Sequence, residues 1–122
     1  MPSRRQIERE ISQALIAFEK EYMGRGPLDA KTFIIEDMVL VRLKGVLTPA
    51  EHKLAEQESE KRGRYLIKQM RQELIEQGRA LLDAAIFDIL RIPVVSLHTD
   101  ISTKSGERII VFTLASTPEF DS

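Results

Sequence analysis

Apolar residues recur every three or four positions near the start of the chain, between Ser3 and Met23. This stripe consists of Ile7, Ile11, Leu15, Phe18 and Tyr22. Charged and polar residues fill the positions between them, which predicts a helix with one face against a core and the rest in water. Ser3 is a suitable N-cap, and the GRGP segment at 24–27 should end the helix because glycine and proline interrupt helical structure.

The next segment, KTFIIEDMVLVRLKGV at 31–46, is rich in β-branched and other apolar residues, interrupted by Glu36-Asp37. It predicts a β-hairpin with strands at about 31–35 and 38–44. Glu-Asp is not a favoured two-residue turn, so a wider loop is an open alternative. In the tightest register both faces are apolar: Ile34 and Val39 share one, and Phe33, Ile35, Met38 and Leu40 share the other. Such a sheet needs cover on both sides.

The TPAE segment at 48–51 has the composition of a helix start. Thr48 can cap the helix, Pro49 suits its first turn, and Glu51 completes a capping box.

An unbroken helix from 49 to 90 would be about 60 Å long, which is too long for one small domain. A break is therefore predicted near Lys61-Arg62-Gly63. The charge-rich first piece, about 49–62, is predicted to be a solvated arm or a mobile lid. The second piece, about 64–91, carries an apolar stripe of Ile67, Met70, Leu74, Leu81, Ala85 and Ile89. Gly78 lies on that stripe and should cost about 1 kcal/mol relative to alanine, which a close approach of another element would offset.

The last strands lie in SLHTDISTKSGERIIVFTL at 96–114, after Pro93 ends the helix. The turn at 103–106 resembles a type I turn followed by a left-handed glycine, the geometry of a three-residue hairpin loop. That register pairs Ile101 with Ile109, Thr99 with Val111, and His98 with Phe112. The residues it places under the helices are Leu97, Thr99, Ile101, Ile109 and Val111.

The opposite face of this hairpin then combines polar with large apolar side chains. Its polar residues are Ser96, His98 and Asp100, and its apolar residues are Ile110, Phe112 and Leu114. In a monomer this would leave an apolar patch in water, so Ile110, Phe112 and Leu114 are predicted to form a subunit interface in a homodimer or higher homo-oligomer. The polar tail at 115–122 is predicted to be flexible.

The elements follow the order α-β-β-α-β-β, with the second helix divided if the break forms. We expect a single α+β domain over 1–122, built as a two-layer sandwich. Its sheet should be mainly antiparallel and four-stranded, with the long helices on one face.

Composition excludes several classes of protein. The 122 residues carry a net charge of −1, which argues against broad nucleic-acid binding because such proteins usually leave a basic footprint. The chain has no cysteine, so thiol nucleophiles, disulfides and cysteine-bound metals are absent. The polar N-terminus is not a secretory signal, and no apolar run approaches the roughly 18 residues of a membrane span. We therefore expect a cytoplasmic protein without direct membrane insertion.

Candidate chemistry centres on His98 and Asp100, which are two positions apart and project from one strand face. A carboxylate there can orient an imidazole, or both can bind a metal with other ligands, but the only other imidazole is His52 on the charged piece. No nucleophile elbow, HExxH or P-loop motif is present. A structural or interface role is therefore favoured, with no catalytic residue, metal or cofactor. The alternative ligand site comprises His98, Asp100, Ser102 and Arg108.

Three long segments, AFEKEYMGRGP, DMVLVRLKGVLTPAE and SLHTDISTKSGERIIVFTL, resemble the MpsC-like family of small bacterial proteins. The resemblance covers about residues 7–114. The family takes its name from a Na⁺-translocating, membrane-potential-generating system and was formerly catalogued as a domain of unknown function. Membership implies an accessory component of a membrane cation-translocating or inorganic-carbon-uptake complex. It supplies no catalytic residue to carry over.

Our leading hypothesis is a non-enzymatic accessory protein that docks on such a complex from the inner face of the membrane. Its predicted contacts are Arg25, Arg42, Lys44 and Glu51. A second hypothesis is a homo-oligomeric sensor of a small molecule or anion, with the ligand site at the subunit interface. An uncharacterised hydrolase is the third.

Overall fold

The computed structural model describes residues 2–56 and 60–120. The elements are α1 (Arg4–Met23), β1 (Asp29–Ile35), β2 (Met38–Lys44), α2 (Pro49–Glu56), α3 (Glu60–Leu90), β3 (Val94–Ser102) and β4 (Glu107–Leu114). The strands form one antiparallel sheet in the order β1-β2-β4-β3. The predicted α+β class and the four-stranded antiparallel sheet are confirmed. The second helical region consists of two helices, α2 and α3.

Helix α1 has the cap and the buried stripe that its sequence predicts. The Ser3 hydroxyl accepts a hydrogen bond from the Gln6 backbone N–H at 3.3 Å, and the Gln6 side chain accepts one from the Ser3 N–H at 3.0 Å. The helix ends at Gly24, whose φ of 86° is a left-handed conformation that glycine adopts without strain. The buried residues of the stripe are Ile7, Ile11, Leu15 and Phe18.

The core lies between the helices and one face of the sheet, which we call the inner face. Its apolar side chains from the strands are Ile34, Val39, Val41, Leu43, Ile101, Ile110, Phe112 and Leu114. A buried hydrogen bond of 2.8 Å between the Ser12 and Thr32 hydroxyls also joins α1 to β1. The side chains of the other face of the sheet, the outer face, are exposed or partly buried.

The two long helices approach each other closely at Gly78. A Cβ atom added there would lie 2.5 Å from two atoms of the Phe18 ring, so only glycine allows this separation. The close approach that offsets the cost of a glycine in mid-helix is therefore present. The buried line of α3 differs from the predicted stripe and consists of Ile67, Arg71, Ile75, Gly78, Leu82 and Ile86. Met70 and Leu81 are 47% and 53% exposed, because the true line includes an arginine that an apolar pattern passes over.

The predicted division of the second helix is confirmed, but its position is not: α2 ends at Glu56 and α3 begins at Glu60, so Lys61-Arg62-Gly63 lie inside α3. Gly63 serves another purpose: a Cβ atom there would lie 2.2 Å from the Leu54 carbonyl oxygen, so the glycine lets α2 cross α3. Ala55 is buried in this crossing. The first piece is therefore packed, and the arm or lid predicted at 49–62 is wrong for 49–56. Residues 57–59 of that prediction lie outside the described residues.

The first hairpin has the tightest register, with Ile35 paired to Met38 and Ile34 to Val39. Its loop has two residues, and Glu36 takes up the turn with a φ of 54°. Ile34 and Val39 face the core, while Phe33 and Ile35 are exposed on the outer face. The assignment of faces in this hairpin is thus confirmed.

The second hairpin is shifted by one residue from its predicted register. Its loop has four residues, and Ile101 pairs with Arg108 and Thr99 with Ile110. The Gly106 N–H closes the loop on the Ser102 carbonyl at 2.8 Å. Because side chains alternate along a strand, a shift of one residue exchanges the two faces of β4.

This shift corrects the predicted subunit interface. Ile110, Phe112 and Leu114 are buried in the core of the single chain, with at most 4% of their surface exposed. The side chains of β4 that lie on the outer face are instead Ile109, Val111 and Thr113, which are partly buried.

The tail predicted to be flexible at 115–122 is held at two described points. The Ala115 N–H donates to the Pro93 carbonyl at 3.0 Å, and Phe120 packs against the core. Residues 121 and 122 lie outside the described residues.

Candidate functional site

A groove of about 610 Å³ lies between the first turns of α3 and the β3–β4 hairpin. We call it the hairpin groove. Helix α3 contributes Lys61, Arg64, Tyr65 and Lys68. The hairpin contributes Asp100, Ser102, Thr103, Lys104 and Glu107. The groove depends on α3 starting at residue 60, because a break at 61–63 would remove its helical wall.

Positive charge dominates the hairpin groove although the whole chain has a net charge of −1. Lys61, Arg64 and Lys68 are three and four residues apart, so they project from one side of the helix. Lys104 faces them from the turn of the hairpin. Two carboxylates, Asp100 and Glu107, lie among these four basic residues. The arrangement attracts an anionic group of modest size.

Asp100 anchors one side of the groove. Its carboxylate accepts hydrogen bonds from the Ile101 backbone N–H at 2.9 Å and from the Lys68 ammonium at 3.2 Å. The Ile101 N–H, followed by Lys68, lowers the pKa of Asp100 below its ordinary value. Because Asp100 and Lys68 are both well exposed, solvent screens their attraction, and its main effect is to position the lysine.

A second hollow of about 400 Å³ continues from the groove and shares Arg64, Thr103 and Lys104 with it. Its far side is formed by His52 on α2. The His52 ring packs at the hairpin loop, where its Cε1 atom would lie 3.5 Å from a Cβ atom added to Gly106. The imidazole that lines this hollow is therefore His52, which the sequence patterns placed on a charged arm.

The predicted ligand residues separate into two groups. His98, Asp100 and Ser102 are exposed on β3, and the His98 Nε2 atom lies 3.3 Å from the Ser96 hydroxyl oxygen. Arg108 lies on the opposite face and is only 1% exposed. The prediction that Arg108 shares a site with the other three is wrong, because it depended on the shifted register. Within residues 2–56 and 60–120, no group of three or more His, Asp or Glu side chains is arranged to hold a metal ion.

Arg108 belongs instead to a buried ionic network that sequence patterns did not reveal. At its centre Arg71 donates to both carboxylate oxygens of Glu51, at 3.0 and 2.6 Å, and to the Val46 carbonyl at 2.9 Å. The Arg71 Nη1 atom lies 4.0 Å from the Glu19 carboxylate. Arg108 donates to the Thr99 hydroxyl at 2.9 Å. The network therefore joins all three helices to β3 and β4.

The pKa values of the two carboxyl groups in this network are shifted in opposite directions. Burial raises the pKa of Glu19, and the attraction of Arg108 and Arg71 only partly opposes it. Burial alone would also raise the pKa of Glu51, but hydrogen bonds from Arg71 and from the Thr48 N–H lower it below its ordinary value. In this network, Glu19 Oε2, Arg71 Nη1, and the Nε and Nη2 atoms of Arg108 are buried without a hydrogen-bond partner. Of Glu19 and Glu51, Glu51 is therefore the carboxylate whose hydrogen bonds to water are replaced by hydrogen bonds from the protein.

The four predicted partner contacts also have different surroundings. Arg25 donates to the Gly45 carbonyl at 2.8 Å, and Arg42 forms an ion pair with Glu107 on the outer face. Lys44 is exposed at the end of β2. Glu51 is buried, caps α2 with Thr48 and binds Arg71, so its prediction as a docking contact is wrong. The same capping box that identified the helix start thus has a structural partner on α3.

A model of the MpsC family, described as "Na+-translocating membrane potential-generating system (MpsC)", matches residues 3–116. The chain belongs to the MpsC family. It is 46% identical over 112 residues to the uncharacterized protein YbcI of Bacillus subtilis (strain 168), an alignment that covers 92% of this chain and 88% of that protein. No solved structure matches the chain. None of the helices in the described part of the chain has the length and apolarity needed to cross a membrane.

Proposed function

We propose that this chain is a non-enzymatic accessory protein of a membrane cation-translocating complex, and that it binds an acidic segment of a partner protein in the hairpin groove. The observation that carries the proposal is the match to the MpsC family over residues 3–116, since the family is described by a Na⁺-translocating system. The groove supports it by supplying a binding surface of the appropriate kind. The proposal assigns no catalytic step to the chain.

Charge and shape favour the groove as the docking surface. Lys61, Arg64 and Lys68 form a row along α3, and Lys104 faces this row from the hairpin. A partner segment with two or three carboxylates in sequence fits between them, because each carboxylate gains a basic neighbour. Rim charges of this kind raise the rate of association and choose between partners more than they raise affinity. The complex should therefore weaken as ionic strength increases.

The experiment is a pull-down from gently solubilised native membranes with the tagged chain, followed by mass spectrometry. The test variant is Lys61→Glu/Lys104→Glu, which reverses two exposed charges of the groove. The control is Arg5→Glu/Arg9→Glu, which reverses two exposed charges on α1. We expect the wild type and the control to recover a subunit of a membrane transport complex, and the groove variant to lose it. Equal recovery with the groove variant, or no membrane protein with any form, contradicts the proposal.

A sensor of small anions is the second candidate, favoured by one observation. The groove places the Ser102 hydroxyl among lysine side chains and opens into the hollow beside His52. An inorganic anion bound there would raise the melting temperature of the native state. The measurement is thermal unfolding with phosphate, sulfate and mononucleotides, for the wild type and for Lys61→Ala/Lys104→Ala. A rise of several degrees that the variant lacks supports the sensor, and no rise with any of these anions excludes this ligand class.

A further inference from the structure

The outer face of the sheet combines apolar side chains with charges in a regular arrangement. The register aligns its side chains in rows across the four strands. One row reads Phe33, Leu40, Val111, His98 from β1 to β3. The next reads Lys31, Arg42, Ile109, Asp100. Phe33 is 44% exposed and its neighbour Ile35 49%, so the face leaves a substantial apolar surface in water.

Charges divide this face into two halves. The basic residues Lys31, Arg42 and Lys44 lie on β1 and β2 with one acid, Asp29, and the acidic residues Asp100 and Glu107 lie on β3 and β4. Within the described residues, neither Lys31 nor Lys44 forms an ion pair, whereas Arg42 pairs with Glu107 of its own chain. Asp100 likewise pairs with Lys68 of its own chain. Because both pairs are exposed, they can exchange partners, and the free lysines on one half then complement the carboxylates on the other half of a second copy.

We propose that the outer face binds a second copy of this chain, with a two-fold axis parallel to the strands and between β2 and β4. This axis stacks β1 of one chain on β3 of the other and β2 on β4, while each row stays on the same row of the partner. Leu40 then meets the partner's Val111, and Phe33 meets the partner's His98. Lys31 lies opposite the partner's Asp100. All these contacts occur twice, as in any isologous interface.

The direction of the axis follows from the charges. A two-fold axis perpendicular to the strands would place β1 on the partner's β1 and β2 on the partner's β2. No basic residue of β1 or β2 would then approach the partner's Asp100 or Glu107. Stacked sheets pack about 10 Å apart, with strand directions within about 30° of each other. This angle moves the corners of the two faces apart, and the long lysine side chains can span that displacement.

The size of the face sets the expected affinity. Four strands about 4.8 Å apart and seven residues of about 3.3 Å each give a face of about 19 by 23 Å. This is small for a specific interface, so the dimer should dissociate at micromolar concentrations. The proposal does not rest on the proposed function. Asp100 borders both surfaces, but the groove is tested through Lys61 and Lys104, which lie outside the four strands.

Sedimentation velocity over a range of about 1 µM to 1 mM tests the proposal. We expect the wild type to pass from monomer to dimer in this range. Leu40→Asp should raise the dissociation constant by about tenfold or more, because it places a charge at the centre of the stacked faces. The control is Leu81→Asp, which changes an exposed leucine on α3 and should leave the dissociation constant unchanged.

A charge exchange distinguishes this axis from any other. Lys31→Glu and Asp100→Lys should each weaken self-association, because each opposes two like charges in its own homodimer. An equimolar mixture of the two variants should associate as well as the wild type. In the mixed dimer the introduced glutamate faces the introduced lysine, and the unchanged Lys31 of one chain faces the unchanged Asp100 of the other. Circular dichroism of each variant alone verifies that it remains folded. A wild type that stays monomeric to 1 mM, or a mixture that associates no better than its components, overturns the proposal.

Discussion

On the inner face of β4, Arg108 and Ile110 are buried beneath the helices, whereas Ile109 and Val111 of the same strand are only partly covered on the outer face. Both faces contain apolar side chains and ion pairs. On the inner side the charges are buried beneath the helices, where Arg71 and Glu51 form two direct hydrogen bonds. The outer face leaves Arg42 and Glu107 in contact with solvent. Apolar and charged residues therefore stabilise the fold on the inner face, while the same residue types on the outer face stay accessible to solvent.

This difference indicates which surfaces of the chain can accept substitutions that create or remove a binding site. A buried pair tolerates little change, because removing one member leaves an uncompensated charge in a low-dielectric environment. An exposed pair contributes about 0–1 kcal/mol and can exchange its partner for one on another molecule. The outer face and the hairpin groove are thus the surfaces where binding can be gained or lost without unfolding the chain.

The largest expected effect comes from Arg71→Ala, in the buried ionic network. The substitution leaves Glu51 buried without its partner and should reduce the free energy of unfolding by about 3–5 kcal/mol. Lys68→Ala, one turn earlier on the same helix, removes the exposed pair with Asp100 and should cost about 0–1 kcal/mol. Urea denaturation followed by circular dichroism measures both. Similar losses for the two variants would show that burial does not separate the two pairs.

The adjacent residues Ile34 and Ile35 compare the two faces with the same side chain. Ile34 is 6% exposed and Ile35 49%. Ile34→Ala should cost about 2–5 kcal/mol because it leaves a cavity in the core. Ile35→Ala should change stability by at most about 0.5 kcal/mol when measured on dilute protein. The same denaturation experiment decides, and a larger loss for Ile35→Ala would reverse our assignment of the faces.

The carboxyl groups of Glu51 and Asp100 compare a buried with an exposed acid. Glu51→Gln keeps the capping acceptor but removes the charge bound to Arg71, and should cost about 1.5–3 kcal/mol at neutral pH. Asp100→Asn should cost about 0–1 kcal/mol. Folding lowers the pKa of both acids, so their contributions are present above the unfolded pKa and disappear as the pH falls through the lower folded pKa.

Each variant should therefore approach the wild type in stability as the pH falls below the ordinary values of 4.5 for Glu51 and 3.8 for Asp100. Added salt should reduce the loss of stability caused by Asp100→Asn and leave the loss caused by Glu51→Gln nearly unchanged, because salt screens only the exposed ion pair. Thermal unfolding as a function of pH and salt provides the measurement. A Glu51→Gln loss that persists unchanged at acid pH would show that its charge is not responsible.

Among the substitutions at buried positions, the smallest effect is expected for Gly78→Ala, which tests how closely α1 and α3 pack against each other. Overpacking against the Phe18 ring costs about 1–3 kcal/mol, and the higher helix propensity of alanine returns about 1 kcal/mol. The net loss should be about 1 kcal/mol. In a Phe18→Leu background the alanine should no longer destabilise, because the ring atoms it would contact are absent. A loss of the same size in both backgrounds would show that the contact is not its cause.

Several features could be predicted from local sequence because local interactions determine them. The caps of α1 and α2 depend on residues three positions apart, at Ser3 and Gln6 and at Thr48 and Glu51. The tight register of the first hairpin follows from a short loop and from the alternation around Ile34. Asp100 and Ser102 were also named from the sequence as residues of an alternative ligand site, and both line the groove.

The tertiary structure alone decided the rest. The loop of the second hairpin accepts three or four residues with the same turn sequence, and burial of Ile110 and Phe112 selects four. That choice places Arg108 near Arg71 and Glu19. A pattern of apolar positions treats all three of these charged residues as surface residues. Charges far apart in sequence become core residues only when the fold brings opposite charges to them. The sequence by itself thus determined the elements and their caps, while the side of the sheet on which each charge lies depended on contacts between distant segments.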